Sequence, residues 1–487
     1  MARQWAKKTT LLFAGSLLLL AACEGTPDKQ VGAIDSVEGP LGGAASDEPR
    51  ATLIAQDILS AGGTAADAAT ALYFTLAVTY PVAGALGGGG ECIVYNNEKN
   101  ELENLKFPIG VPAAGGEIGI PGNIRGFAAL HARYGRVAWS ALLSSAETYA
   151  NFGESLSRAQ HMAMVASSAN VRFNSRLEEL YKTKDGRFRQ EGEKVQQVRL
   201  ASVLTTLRSN GGAHFYGGNV GKSFIEDANS AGGKLTNSDL INYRPTWSKA
   251  LTFDVDSNVV GVSDSPYGVL FRDFWQALFE GKGFLHFSTD LPVEKLVKAT
   301  GQSFQKFQTH SPFDVSATTS FVTADNEGNA VSCVVGLKKP FGTGKAGNIT
   351  GIVMAPNVSA EKSAFPSTPL LMVNKPNKDF YYASAASGGA VATFASAYTA
   401  LQVFAEGKTL ESAIGAPRMF TMAPGTPLLY EKEVSAAELK PLAAQHPVQI
   451  EVNRLASVNA IFCLNGKVPN CQSRSDPRGY GLSMIQK

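Results

Sequence analysis

The segment that most constrains this chain is Ala317-Thr318-Thr319-Ser320-Phe321, followed by Asp325-Asn326-Glu327-Gly328-Asn329-Ala330-Val331. A run of β-branched and apolar residues, a polar stretch closed by Gly-Asn, and a second apolar run spell strand, tight turn, strand. A threonine pair stands at the entry. It has two readings: the start of an ordinary β-hairpin, or a hydroxyl nucleophile uncovered by self-cleavage between Ala317 and Thr318. Strand-like segments with Gly-rich turns follow. Ala383 to Ser387 then runs through Gly388-Gly389 into an Ala-rich helix, Ala390 to Glu406.

Upstream the periodicity is mostly helical. Ala51 to Ser60 is amphipathic and Gly62-Gly63 ends it. Thr64 opens an Ala-rich helix with Asp67 three residues on, the spacing of a capping box. Gly87 to Gly90 leads into a strand, Glu91 to Tyr95, and a second strand follows at Glu101 to Lys106. A helix runs from Ile124 to Tyr134, residues 139–210 are helical with polar connectors, and Thr236 with Asp239 starts another helix. Phe253 to Val262 reads as one strand and Phe271 to Phe279 as a helix. The whole predicts an α+β fold: a four-layer αββα sandwich, two antiparallel sheets face to face with helices outside. A chain of 487 residues, 44% apolar, is ample for one large core or two intimate ones.

The N-terminus reads as a targeting segment. Arg3, Lys7 and Lys8 precede a short apolar run, Leu11 to Leu20, which closes with Leu20-Ala21-Ala22-Cys23. This resembles the lipobox of bacterial lipoproteins, with Cys23 the lipidation site; the plainer reading is a secretory peptide cut at a small-residue site. Loss of residues 1–22 takes three of the 44 basic residues and none of the 42 acids, leaving a net charge near −1. That balance excludes a nucleic-acid binder, and acyl chains rather than charge would hold the protein at a membrane. Residues 23–46, rich in Gly, Pro and acids, read as a flexible tether. Cys463 and Cys471 flank a turn-like segment and can pair in a local disulfide in an oxidising envelope, whereas Cys92 and Cys333 lie in apolar runs and read as buried small hydrophobes. The six histidines are scattered and no cluster has metal-ligand spacing, so no metal or cofactor is expected.

Taken in order, these segments resemble the γ-glutamyltransferase family of N-terminal-nucleophile hydrolases. Gly62-Gly63-Thr64-Ala65-Ala66-Asp67-Ala68-Ala69 is similar to G-G-N-A-x-D-A-A, and Gly87 to Gly90 to G-G-G-G before a strand. Pro121-Gly122 with Gly126 and Gly135 resembles P-G-x-x-x-G-x-x-x-x-H-x-x-x-G. Leu235-Thr236, Asp239-Leu240 and Tyr243-Arg244-Pro245 resemble L-T-x-x-D-L-x-x-Y-x-P. Thr318-Thr319-Ser320 with Gly328-Asn329-Ala330-Val331 resembles T-T-H-x-S and D-G-N-A-V. Phe341-Gly342-Thr343-Gly344, Ser387-Gly388-Gly389 and Asp476-Pro477-Arg478 complete the series. The resemblance implies a large-chain region, 47–317, and a small-chain region, 318–487, joined until the precursor cuts itself. It implies Thr318 as nucleophile and, through its freed α-amine, as base. Thr319 is its positioning neighbour, and the N–H groups of Gly388 and Gly389 form the oxyanion hole; the plainer reading of the two glycines is a strand-to-helix turn.

The departures fall on substrate recognition. Pro108 stands where the family has the arginine that binds the substrate's α-carboxylate. Phe365-Pro366 replace a serine pair, and Ala355 to Ala360 carry no acid for the α-amino group. A supporting threonine falls at Gly336 and a pocket asparagine at Lys338. A bidentate Arg clamp supplies charge and geometry together, so its loss removes much of the known grip. Asn357 and Lys338 are the remaining candidate substrate contacts, with Lys106 a further cation; each lysine also reads as a solvated surface residue. Three functions follow: a self-cleaving threonine enzyme acting on a γ-glutamyl or related amide; an inactive envelope lipoprotein with the same fold; or an acylase with an apolar pocket that includes Phe365. The expected partners are a small-molecule or peptide amide, the two chains of the precursor, and a bacterial envelope membrane through the lipid, periplasm-facing in a Gram-negative cell.

Overall fold

The computed structural model describes residues 42–279, 292–305, 317–358, 365–464 and 470–486. The leader, Cys23 and the first part of the tether lie outside the described residues.

The threonine hairpin forms. Thr318–Ala324 pairs antiparallel with Ala330–Gly336, in a register that runs from Thr318 opposite Gly336 to Ala324 opposite Ala330. Asp325 holds the turn: its carboxylate accepts from the N–H groups of Glu327 and Asn329, each at 3.0 Å. The same carboxylate accepts from the N–H of Ala65 at 2.9 Å, and Thr323 Oγ1 donates to the Ala65 carbonyl at 2.8 Å. Ala65 is the first residue of the helix Ala65–Thr79, whose capping box of Thr64 and Asp67 is present. The helix start and the hairpin turn therefore form one unit, as an acid at a helix N-terminus favours.

Two antiparallel sheets build the core. The first runs in the order Leu482–Gln486, Gly42–Ser46, Thr318–Ala324, Ala330–Gly336, Gly89–Asn96, Glu101–Phe107, Thr246–Lys249. The second runs Cys471–Ser475, Ser457–Cys463, Asp379–Ser387, Leu370–Asn374, Asn258–Val262, Leu251–Val255. Alternation divides the side chains of each strand between its two faces. Cys92, Val94, Phe321, Cys333 and Val335 meet the helices Pro49–Ser60, Ala65–Thr79 and Asn123–Tyr134. Val260, Val262, Met372 and Tyr382 meet the helices Pro266–Phe279 and Val391–Phe404. Ile93, Val322, Val334, Leu371, Val373 and Ile461 fill the space between the sheets. This is the four-layer αββα arrangement. Among the described residues no helix is long and apolar enough to cross a membrane.

The glycine run Gly87 to Gly90 lets backbones approach closely. A Cβ on Gly90 would fall 2.6 Å from the Val334 carbonyl and 2.8 Å from the Phe107 ring.

Three expectations are corrected. The tether does not extend to Ser46: Gly42–Ser46 is a fully buried strand paired on both sides. The small residues that suggest a linker are those that fit between two neighbouring strands. The single strand over Phe253 to Val262 is a hairpin, Leu251–Val255 and Asn258–Val262, turned at Asp256 with φ +54°. Cys92 and Cys333 are bonded to each other, as are Cys463 and Cys471. The register places Cys333 directly opposite Cys92, a juxtaposition hidden by a separation of 241 residues.

A bridge that closes so long a loop restricts the unfolded chain strongly. Replacing Cys92 and Cys333 together by alanine is expected to lower the unfolding free energy by roughly 2–5 kcal/mol. Denaturant unfolding of the oxidised protein and the double variant measures it.

Candidate active site

Thr318 begins an interior strand of the first sheet, the third of seven, and is buried. The carbonyl before it, on Ala317, accepts the N–H of Leu337 at 3.0 Å. The Gly388 N–H points at Thr318 Oγ1 from 3.4 Å. Gly388 and Gly389 have φ of +122° and +80° and join the strand Asp379–Ser387 to the helix Val391–Phe404. Only glycine takes such angles freely. The turn makes the corner, and in doing so it aims one backbone donor, the Gly388 N–H, at the hydroxyl.

Thr319 leaves the opposite side of the strand. Its Oγ1 donates at 3.0 Å to Asp47 Oδ2, not to Thr318. Asp47 is the residue that the sequence reading missed. Its Oδ2 also accepts from the Ser320 N–H at 3.0 Å and Ser387 Oγ at 2.9 Å. Its Oδ1 accepts from Asn459 Nδ2 at 2.8 Å and Ser457 Oγ at 3.3 Å. Asn459 reaches on to the Ser320 carbonyl and Oγ, both at 3.0 Å. Burial raises the Asp47 carboxyl above its ordinary range, while the bonds from Asn459, Ser320, Ser387 and Thr319 pull it back. In the sequence Asp47-Glu48-Pro49 reads only as an acidic helix start. Glu48 is the cap, accepting from the Ala51 N–H at 2.9 Å. No local signal tells the two acids apart.

A polar wall stands beside Thr318. Ser320, Val334, Glu91 and Lys106 face one another across four neighbouring strands. Glu91 is buried and accepts from Ser263 Oγ at 2.6 Å; its other oxygen, Oε1, has no hydrogen-bond partner among the described residues. Burial pushes its carboxyl up to about 7, against the Ser263 bond and the nearby Lys106. Lys106 is not a free cation: it pairs with Asp264 at 2.6 Å. Lys338 is in the left-handed region at φ +66°, with Nζ 4.1 Å from the centroid of the Phe365 ring. Burial pulls its ammonium down to about 7, with Glu91 opposing. Lys338 is therefore no solvated surface lysine. Gly336 explains how the ring fits. A Cβ there would lie 2.5 Å from the Ala317 carbonyl, 2.9 Å from the Phe365 ring and 3.1 Å from the Thr318 methyl. Asn357 is tied elsewhere: its backbone N–H reaches the Glu117 carbonyl at 2.8 Å and its Nδ2 the Gly116 carbonyl at 3.0 Å. Among the described residues no group of three or more His, Cys, Asp or Glu could hold a metal ion.

The chain belongs to the gamma-glutamyltranspeptidase family, whose model matches residues 51–271 and 293–485. It is 32% identical over 250 residues to the "Glutathione hydrolase proenzyme" of Pseudomonas aeruginosa, covering 46% of this chain and 42% of that protein. It is 24% identical over 428 residues to the protein of the same name from Escherichia coli strain K12, covering 74% of each. The chain thus spans less than half the length of the first relative. A crystal structure of a cephalosporin acylase from Bacillus halodurans superimposes with a TM-score of 0.75 at 19% identity, over 91% of this chain and 95% of that one. That likeness shows the fold.

Two outcomes are expected here. Gly388→Ala forces a side chain into φ +122° with its Cβ 2.8 Å from Ala456 Cα. The strained backbone and displaced corner are expected to lower the unfolding free energy by roughly 1–3 kcal/mol, as denaturant unfolding measures. The second concerns pH. The folded Glu91 holds its proton up to about 7, while the unfolded residue releases it near 4.5. The unfolded chain therefore binds fewer protons between those values, so stability falls as pH rises through that window. Glu91→Gln is expected to remove this part of the slope in denaturant unfolding at pH 5 and pH 7.

Proposed function

We propose that this chain is the precursor of a two-chain threonine amidase. It cuts itself before Thr318, then hydrolyses or transfers a γ-glutamyl or related acyl group through an ester on that residue. One observation supports this above the others: a backbone N–H of the Gly388-Gly389 turn lies 3.4 Å from Thr318 Oγ1, in a chain of this family.

In the self-cleavage step Thr318 Oγ attacks the Ala317 carbonyl carbon. The carbonyl oxygen carries the developing charge, and the Leu337 N–H at 3.0 Å is aimed at it. The C–N bond breaks, the hydroxyl proton ends on the leaving nitrogen, and an ester joins Ala317 to Thr318 Oγ. Water hydrolyses the ester, leaving a carboxylate on Ala317 and a free α-amine on Thr318. An α-amine titrates at about 8, so it accepts the hydroxyl proton near neutrality. Thr318 then attacks the substrate amide, releases its amine and passes the acyl group to water or to another amine. Asp47 holds Thr319; Gly388 and Gly389 serve the oxyanion. The cut leaves one chain that ends at Ala317 and carries the strand Gly42–Ser46 with the region 47–317, and a second chain of residues 318–487. Residues 1–22 direct the protein to the cell envelope, where Cys23 is its lipid anchor.

A second reading concerns specificity. Pro108 replaces the expected arginine, and the Phe365 ring lies against Gly336 beside the Thr318 methyl. These favour an acylase taking an apolar acyl tail, with Lys338 at its edge.

Mass spectrometry and N-terminal sequencing of the purified protein test the first step. Reductant is needed, since Cys92 and Cys333 fall on opposite sides of the cut. Two chains are expected, the smaller starting at Thr318, and Thr318→Ala should stay whole. A wild-type chain that remains single removes the reading. With the cut protein, hydrolysis of γ-glutamyl-p-nitroanilide is expected; faster hydrolysis of an aliphatic acyl anilide selects the acylase.

A further inference from the structure

We propose that Asp47 is the positioning residue of the Thr318 reaction, holding the nucleophile strand and the Gly388-Gly389 turn at one spacing. The assignment rests on the reading of Thr318 as nucleophile. It comes from which residues the carboxylate touches. Oδ2 takes the hydroxyl of Thr319, the residue after the nucleophile, at 3.0 Å. It also takes the hydroxyl of Ser387, the residue before the oxyanion turn, at 2.9 Å. One atom thus ties the immediate neighbours of both reacting groups, which are 70 positions apart in the chain.

The rest of the network fixes that atom. Thr319 and Ser320 belong to the first sheet, while Ser387, Ser457 and Asn459 belong to the second. Asp47 itself follows the strand Gly42–Ser46. Its carboxylate therefore crosses the gap between the sheets, and Asn459 closes the ring by returning to Ser320. These five partners, Thr319, Ser320, Ser387, Ser457 and Asn459, are neutral donors. A buried carboxylate kept without a cation must be satisfied by such donors. A bond through hydroxyls also sets a distance more sharply than apolar packing does, and displacements of about 1 Å at a reacting pair cost on the order of a hundredfold in rate.

Substitution by asparagine has a defined consequence. The Ser320 N–H and the Asn459 amide approach different oxygens. Either orientation of an asparagine sets its own N–H against one of them. The network then opens on the nucleophile side or on the side of the second sheet. Glu48 supplies the control. It is also buried and next in sequence, but it bonds the Ala51 N–H and Thr79 Oγ1, away from the reacting groups.

The experiment compares the wild type with Asp47→Asn, Glu48→Gln and Ser387→Ala in the full chain. Precursor loss is followed on reducing gels, kcat and KM are measured on whichever anilide is turned over, and thermal unfolding is read for each. Asp47→Asn is expected to slow precursor loss at least tenfold. In its processed fraction kcat should fall at least tenfold with KM within twofold. Glu48→Gln is expected to lower Tm without slowing the cut. Ser387→Ala removes a single donor and keeps the assignment testable if Asp47→Asn does not fold; its kcat should fall at least threefold with KM unchanged. The assignment is overturned if Asp47→Asn and Ser387→Ala cut and turn over within twofold of wild type. It is equally overturned if their losses lie in KM or follow Tm as those of Glu48→Gln do. A wild-type chain that stays whole overturns the Thr318 reading and this assignment with it. A wild-type chain that is cut beside an equally cut Asp47→Asn overturns this assignment alone.

Discussion

The structure depends on the interior place of the strand Thr318–Ala324. It has a neighbour on each side, Gly42–Ser46 and Ala330–Gly336, so its backbone has little freedom to shift. Its far end is pinned by Asp325, which caps its own turn and the helix that starts at Ala65. Its near end is pinned by the Asp47 network. A reacting group at the head of such a strand inherits the rigidity of the sheet, which a loop cannot give. The apolar layers supply most of the stability; the two buried carboxylates decide where the strand ends lie. Both belong to turns or strand ends, where backbone donors are otherwise unspent.

Much of the fold was legible because its signals are local. The capping box at Thr64 and Asp67, the hairpin around Asp325 and the corner at Gly388-Gly389 each depend on residues within a few positions of one another. The same locality explains the misses. Gly42–Ser46 has the composition of a linker, and only its two distant partners, Thr318–Ala324 and Leu482–Gln486, make it a strand. The Cys92–Cys333 bond needs the register of two strands from opposite halves of the chain. Asp47 draws its partners from three distant segments. At the site, Thr318, the glycine turn, Lys338 and Phe365 were singled out through motif order, while Glu91 and Asp47 were not. Lys338 in isolation looks like any polar loop residue; its burial and its aromatic partner exist only in three dimensions.

The departures from the family pattern form a coherent set in space. Pro108, the neighbours Gly336 and Lys338, and Phe365 come from three separate segments, and the last three residues share one corner beside Thr318. Gly336 makes room, Phe365 fills it, and Lys338 covers the ring. Volume lost at one position is regained at another, as close packing demands. Thr318, the proposed nucleophile, thus borders an apolar corner on one side and the Asp47 network on the other.

The bond between Cys92 and Cys333 has a consequence for a chain cut at Thr318. Cys92 then belongs to one product and Cys333 to the other, so the two are still a single molecule. Separate chains that share a core obey mass action: dilution favours their parting, and each would expose the strands that had paired with the other. Here the effective concentration of one product near the other is set by a covalent link and does not change with dilution. An enzyme released into a large volume would keep its two halves together however rare it became.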